Sequence, residues 1–246
     1  MILSDIRKQA RESLTGKWGK SALIILIYFL FSFALGFIKS LVEDISFLSF
    51  VVEIGSAIIT IPISFGLIIS FIKLKRGEEV KCYEFFKYGF ANFTRSWKLT
   101  GNILLKIWLP ILLYVLAIIA FSLSITFGVA ASVVASSSTI LILAFIIGIA
   151  LLVAAFVYLF IKSLLYSFTY FIAYDNEDMS GKEVVEESAK LMKGHRGKYI
   201  LLQLSFIGWI ILSVFTLYIG MLWIFPYMQI SMICFYEALK ENKVEE

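Results

Sequence analysis

Apolar residues fall into six long runs, at about 21–38, 54–72, 103–127, 140–162, 199–217 and 222–238, set apart by shorter charged or small-residue stretches. A helix needs roughly twenty apolar residues to cross a hydrocarbon core of about 30 Å, so each run predicts a transmembrane helix. The fourth run stays apolar as far as 172, which overshoots that core at about 1.5 Å per residue. Lys162 marks where its hydrocarbon part ends, since a lysine is tolerated where its amine snorkels to an interface. Residues 163–174 then continue as an amphipathic extension. Between the fifth and sixth runs the segment LYIGMLWIFP leaves room for only the barest outer turn. Pro62 is expected to bend the second helix and Pro226 to bend or start the sixth, because proline removes a backbone hydrogen bond.

The stretches between the runs carry a different period. In residues 1–20, Leu3, Ile6, Ala10 and Leu14 share one helical face while Arg7, Lys8 and Arg11 share another, the pattern of a basic helix on an anionic surface. Gly16 ends it. Residues 39–53 form an acidic outward loop, apolar enough to rest on the outer interface, and residues 128–139 a short outward turn of small residues. Residues 73–102 set Tyr83, Phe86, Phe90, Phe93 and Trp97 at helical spacing among basic residues. That stripe fits a surface helix packed on the protein's own spans, and less readily a dedicated lipid or partner site. In 173–198, Ser180 stands three residues before Glu183 in capping-box spacing, so a helix starts there, with Val184, Ser188, Leu191 and Met192 on one face. Gly194 is its stop.

Composition turns this pattern into a class. With 60% hydrophobic and 16% charged residues, the chain is far more apolar than a soluble domain, at about 45–50% and 25%. The fold expected is all-α: a polytopic membrane protein with six transmembrane helices and cytoplasmic amphipathic helices, forming a single integral membrane domain over 1–246. Lys and Arg number five in 1–20, seven in 73–102, five in 173–199 and two in 239–246, against one in 39–53. Both termini are therefore expected in the cytoplasm, in a cell membrane. No cleavable signal peptide is expected, and Cys82 and Cys234 should be unpaired. The net charge of +4 bears on membrane orientation rather than on nucleic acid.

G-x-x-G-K stands at 16–20 and again at 194–198, each time directly before a span, and TRSWK at 94–98 weakly matches the first of them. The reading is three repeats of a helix plus a span pair, although glycine, lysine and tryptophan collect before inward spans for independent reasons. The motif lacks the strand, glycine spacing and hydroxyl residue of a phosphate-binding loop.

Candidate chemistry is sparse. His195 is the only histidine, so a histidine metal cluster or a Ser-His-acid triad has no partners, and no catalytic residue, cofactor or metal is assigned. Asp175, Glu177 and Asp178 read as a solvated acidic turn rather than a cation site. The lipid or partner candidates are Arg7, Lys8, Arg11, Lys17, Trp18, Lys81, Arg95, Trp97, Lys98, His195, Arg196 and Lys198, the basic and interfacial residues of the inward segments. Polar residues in the spans are Gln203, Ser205 and Gln229, with Lys106 near the start of the third. The glutamines are expected to bond between helices.

The segments ESAKLMKGHRGKYILLQLSFIGWIIL and LYIGMLWIFPYMQISMICFYEAL, with LTGKWGK and TYFIAYDNEDMSGKEVVEES, resemble a bacterial family of integral membrane proteins defined only as domain of unknown function 975. The resemblance spans nearly the whole chain. It implies a multi-pass membrane protein and supplies no activity and no catalytic residues. The function expected is that of a non-enzymatic accessory protein binding anionic phospholipids or a membrane protein partner, in export, envelope homeostasis or immunity to a membrane-active peptide. The alternative is a transporter or channel for a small or lipidic solute, to which the scarcity of ionisable residues within the spans is unfavourable.

Overall fold

The computed structural model describes residues 3–135 and 138–244, and among these every element is an α-helix. In chain order they are α1 Leu3–Leu14, α2 Trp18–Leu41, α3 Ser46–Lys75, α4 Glu84–Ala91, α5 Phe93–Ala135, α6 Ser138–Leu164, α7 Thr169–Asp175, α8 Gly181–Met192, α9 Arg196–Leu204, α10 Ile207–Phe215 and α11 Met221–Val244. Among the described residues six stretches are long and apolar enough to cross a membrane: Trp18–Leu41, Ser46–Lys75, Phe93–Ala130, Leu141–Asp175, Arg196–Phe215 and Met221–Glu241. Their large apolar side chains, among them Phe33, Phe47, Leu105 and Ile147, are exposed. Apolar surface on this scale belongs in lipid.

The connections differ from the sequence expectations in instructive ways. The loop expected over 39–53 shrinks to 42–45, because α3 already starts at Ser46 and its Glu53 pairs with Lys39 at 2.7 Å. The turn expected over 128–139 is helical up to Ala135 and again from Ser138, with 136–137 outside the described residues. The fifth run is two helices, broken at Ser205 and Phe206.

The chain divides into two compact units, residues 101–167 and the remainder. In the smaller unit, α6 meets the part of α5 from residue 101 onward through the ring pairs Tyr114–Phe156 and Phe121–Phe145. The larger unit is built around the second half of α3, where Ile63, Phe65, Phe71, Ile72 and Leu74 are all buried. At one point α3 and α4 touch backbone to backbone. A Cβ on Gly66 would lie 2.0 Å from the Phe85 carbonyl oxygen, and one on Gly89 2.6 Å from that of Pro62. Only glycine fits at either position. This contact packs the aromatic segment on a span, as expected, but the segment is not one helix and its buried ring, Phe85, lies outside the stripe. Asn92 separates α4 from α5, and α4 buries Phe85 and Gly89 while Tyr83 and Phe90 stay exposed.

Pro62 sits inside α3 without ending it. Lacking an amide hydrogen, it leaves the Ile58 carbonyl without its helical partner. The Trp97 indole Nε1–H donates to that carbonyl at 3.3 Å. A similar repair ends α7, where the Arg95 guanidinium donates to the carbonyls of Ala173 (3.0 Å), Asn176 (2.8 Å) and Glu177. Lys17 does the same for α3, donating to the Leu74 carbonyl at 2.7 Å.

Helix α8 opens with the expected capping box: Ser180 Oγ accepts from the Glu183 amide, and the Glu183 carboxylate accepts from the Ser180 amide. Those bonds hold the Glu183 carboxyl below the ordinary glutamate range. Its buried face is Val184, Val185, Ser188, Leu191 and Met192. Helix α1 buries Ile6, Ala10 and Leu14 and packs on α11. Its apolar face is thus covered by protein rather than by a membrane surface. The turns after α1 and α8 share a left-handed glycine, Gly16 at φ 75° and Gly194 at φ 86°. The middle segment has no such turn at Asn92.

Candidate functional site

The faces of three helices meet around an open slot of about 650 Å³. From α1 come Ser4, Arg7 and Arg11, which occupy the helical face beside the buried Ile6, Ala10 and Leu14. Trp18 follows at the start of α2. From α10 and the turn after it come Trp209, Leu212, Ser213 and Thr216, and from the end of that turn and α11 come Gly220, Trp223, Ile224 and Tyr227. Each of these two sets repeats at intervals of three, one and three residues, which is one face of a helix. The slot is therefore made by register.

Its chemistry is divided. Two guanidiniums one helical turn apart stand on α1, the facing helices contribute indole and aliphatic surface, and among the described residues no carboxylate lines the slot. The walls are fixed by ordinary bonds. Tyr227 Oη donates to the Arg7 carbonyl at 3.4 Å, and its ring lies 6.3 Å from Trp18 and 5.1 Å from Phe206. Ser213 Oγ donates to Ile210 within its own helix at 2.6 Å. Such a cavity matches an amphiphile with an anionic head and an apolar tail.

Three of the sequence candidates, Arg7, Arg11 and Trp18, come together here. The others do not. Lys17, Arg95 and Trp97 are engaged on backbone carbonyls. Lys8, Lys81, Lys98 and Lys198 are exposed away from the slot, and His195 and Arg196 are half-buried at the start of α9. Of the residues in the spans, Gln203 donates to Tyr199 Oη and to Met232 Sδ on α11, each at 3.1 Å, so it does bond between helices. Ser205 Oγ turns to Leu202 of its own helix at 2.6 Å, and Gln229 is half-buried and not a partner of Gln203.

Asp175 is not a solvated acid. Its side chain, 7% exposed, accepts from Arg76 Nη2 at 2.7 Å, Tyr236 Oη at 3.0 Å and Lys240 Nζ at 3.2 Å. Glu237 joins this group, paired with Lys75 and 3.7 Å from Arg76 Nε. The slot residues of α10 and α11 escaped the sequence reading because their spacing is that of any packed span. The one signal available was the pair Trp209 and Trp223, set symmetrically about a turn.

Neither the curated proteins nor the solved structures include a match to this chain. The model of the family described as Protein of unknown function (DUF975) matches residues 1–243. The match runs from the first residue through almost the last, and the chain belongs to the DUF975 family.

Proposed function

We propose that this is a non-enzymatic accessory protein of the cell membrane, with both termini cytoplasmic, that holds an anionic phospholipid in the slot between α1, α10 and α11. The observation that carries the reading is the slot itself, with Arg7 and Arg11 on one wall, Trp209, Leu212 and Trp223 opposite, and no acid between them among the described residues. A phosphate takes two guanidiniums well because each offers several fixed donors. The excess of Lys and Arg in the inward segments supports the orientation. A solute pathway is less well supported, since Gln203 spends its amide inside the fold and neither glutamine lines the slot.

The test is native mass spectrometry of the full chain in mild detergent, titrated with phosphatidylglycerol and with phosphatidylcholine. At about 1 kcal/mol per cation, two arginines amount to roughly 30-fold in affinity. Phosphatidylglycerol should be retained in preference, and Arg7→Gln with Arg11→Gln should abolish the preference while Lys8→Gln with Lys198→Gln keeps it. Equal retention of both lipids by the unaltered protein would overturn the reading.

A further inference from the structure

We infer that the hairpin of α10 and α11 does not cross the bilayer: its apex, Thr216 to Gly220, stops inside the hydrocarbon, and the hairpin enters and leaves on the side where α1 lies. Length and composition permit a crossing. Three observations on the larger unit argue otherwise.

The first is reach. Phe29 of α2 and Phe225 of α11 are in ring contact at 6.1 Å. From Phe29, α2 continues twelve residues to Leu41, about 18 Å at the helical rise, while from Phe225 only four residues remain to Met221, about 6 Å. Measured along the helix axes, α11 therefore begins about 12 Å short of the end of α2, and only the tight five-residue turn Thr216 to Gly220 lies beyond that point. The Trp18–Tyr227 pair gives about 25 Å by the same measure. A hydrocarbon core is only about 30 Å thick.

The second is surface. The α2–α3 turn exposes Glu43 and Asp44, as a turn in water does. The α10–α11 apex carries no charge and exposes Phe215, Leu217, Tyr218 and Ile219, with Phe215 at 82% and Leu217 at 84%.

The third is the backbone. Every amide from Thr216 to Ile224 has an acceptor within the hairpin: Ser213, Val214, Ser213 again, Thr216, Thr216 Oγ1, Tyr218, Ile219 and Gly220 twice, in chain order. Leu217 and Tyr218 adopt φ of 51° and 63° to achieve this, a conformation that side chains resist. Water would satisfy those amides without such strain. Hydrocarbon cannot, and demands internal partners.

The slot then opens on the leaflet beside α1, and a lipid held there is one of that leaflet; this last step alone rests on the lipid reading. The experiment is cysteine labelling of the full chain in right-side-out cells and in inverted vesicles with a membrane-impermeant maleimide, the unaltered protein serving as the blank. Lys8→Cys, exposed on α1 away from the slot, and Asp44→Cys should label from opposite faces. Phe215→Cys and Ile219→Cys, both at exposed positions, should label from neither face until detergent is added. Labelling of the apex cysteines from the Asp44 face, as fast as Asp44→Cys, would overturn the inference. Phosphatidylglycerol retention by the same variants is a separate readout. Outside labelling with lipid retained refutes the short hairpin and spares the site, whereas protected cysteines with no lipid preference do the reverse.

Discussion

At Gly194 the chain turns through φ 86° with no atom within 4 Å of where a Cβ would stand. Any cost of a side chain there is conformational rather than steric. A residue with a β-carbon loses roughly 1–2 kcal/mol in the left-handed region, and a β-branched one more. Gly194→Val should therefore lower the thermal midpoint of the solubilised protein, and Gly194→Asn should lower it less, because asparagine enters that region more readily. Gly16, at φ 75° and equally open, should show the same order. Indifference to valine at either position would mean that the turn relaxes without its glycine. These two residues were legible because a glycine after an amphipathic run is a local signal. Gly66 and Gly89 were not, since nothing within reach in sequence says that two helix backbones meet there.

Pro62 of α3 and Trp97 of α5 form one unit. Trp97→Phe keeps the aromatic bulk and strands the Ile58 carbonyl, at a cost of about 1–3 kcal/mol if water does not reach it. In a Pro62→Ala background residue 62 regains its amide and bonds Ile58 itself, so the same Trp97→Phe change should cost markedly less. A double-mutant cycle on thermal unfolding measures the difference. Additive effects would show that the indole bond is incidental. The contrast explains what was readable among the elements. The start of α8 and the buried face of α1 rest on neighbours three and four residues away, which periodicity reports. The aromatic stripe pointed to packing on a span but not to which ring is buried, because α4 is aromatic on more than one face and its turn toward Phe85 is set by Gly66 on α3 meeting Gly89 on α4. The slot has the same origin, three unremarkable helical faces that only the tertiary register brings together.

For the molecule as a whole, Asp175 is the point where α3, α7 and α11 are tied. Asp175→Asn preserves shape and removes the charge that Arg76 and Lys240 share, so it should cost about 2–3 kcal/mol, the scale of hydrogen bonds to charged groups. Lys240→Met removes a partner that is 54% exposed, and should cost under about 1 kcal/mol. Thermal midpoints of the two variants compare them directly; an equal loss would mean that Asp175 is only one more surface ion pair. The packing of α1 on α11 bears on how the protein is made. Ile6, Ala10 and Leu14 leave the ribosome well before α11, the helix that covers them. Until α11 is made, the nascent chain carries an amphipathic basic helix with its apolar stripe uncovered, and the nearest surface suited to such a helix is the membrane face itself. The sequence pattern of an interfacial helix describes that interval, which ends once α11 is made and covers the stripe.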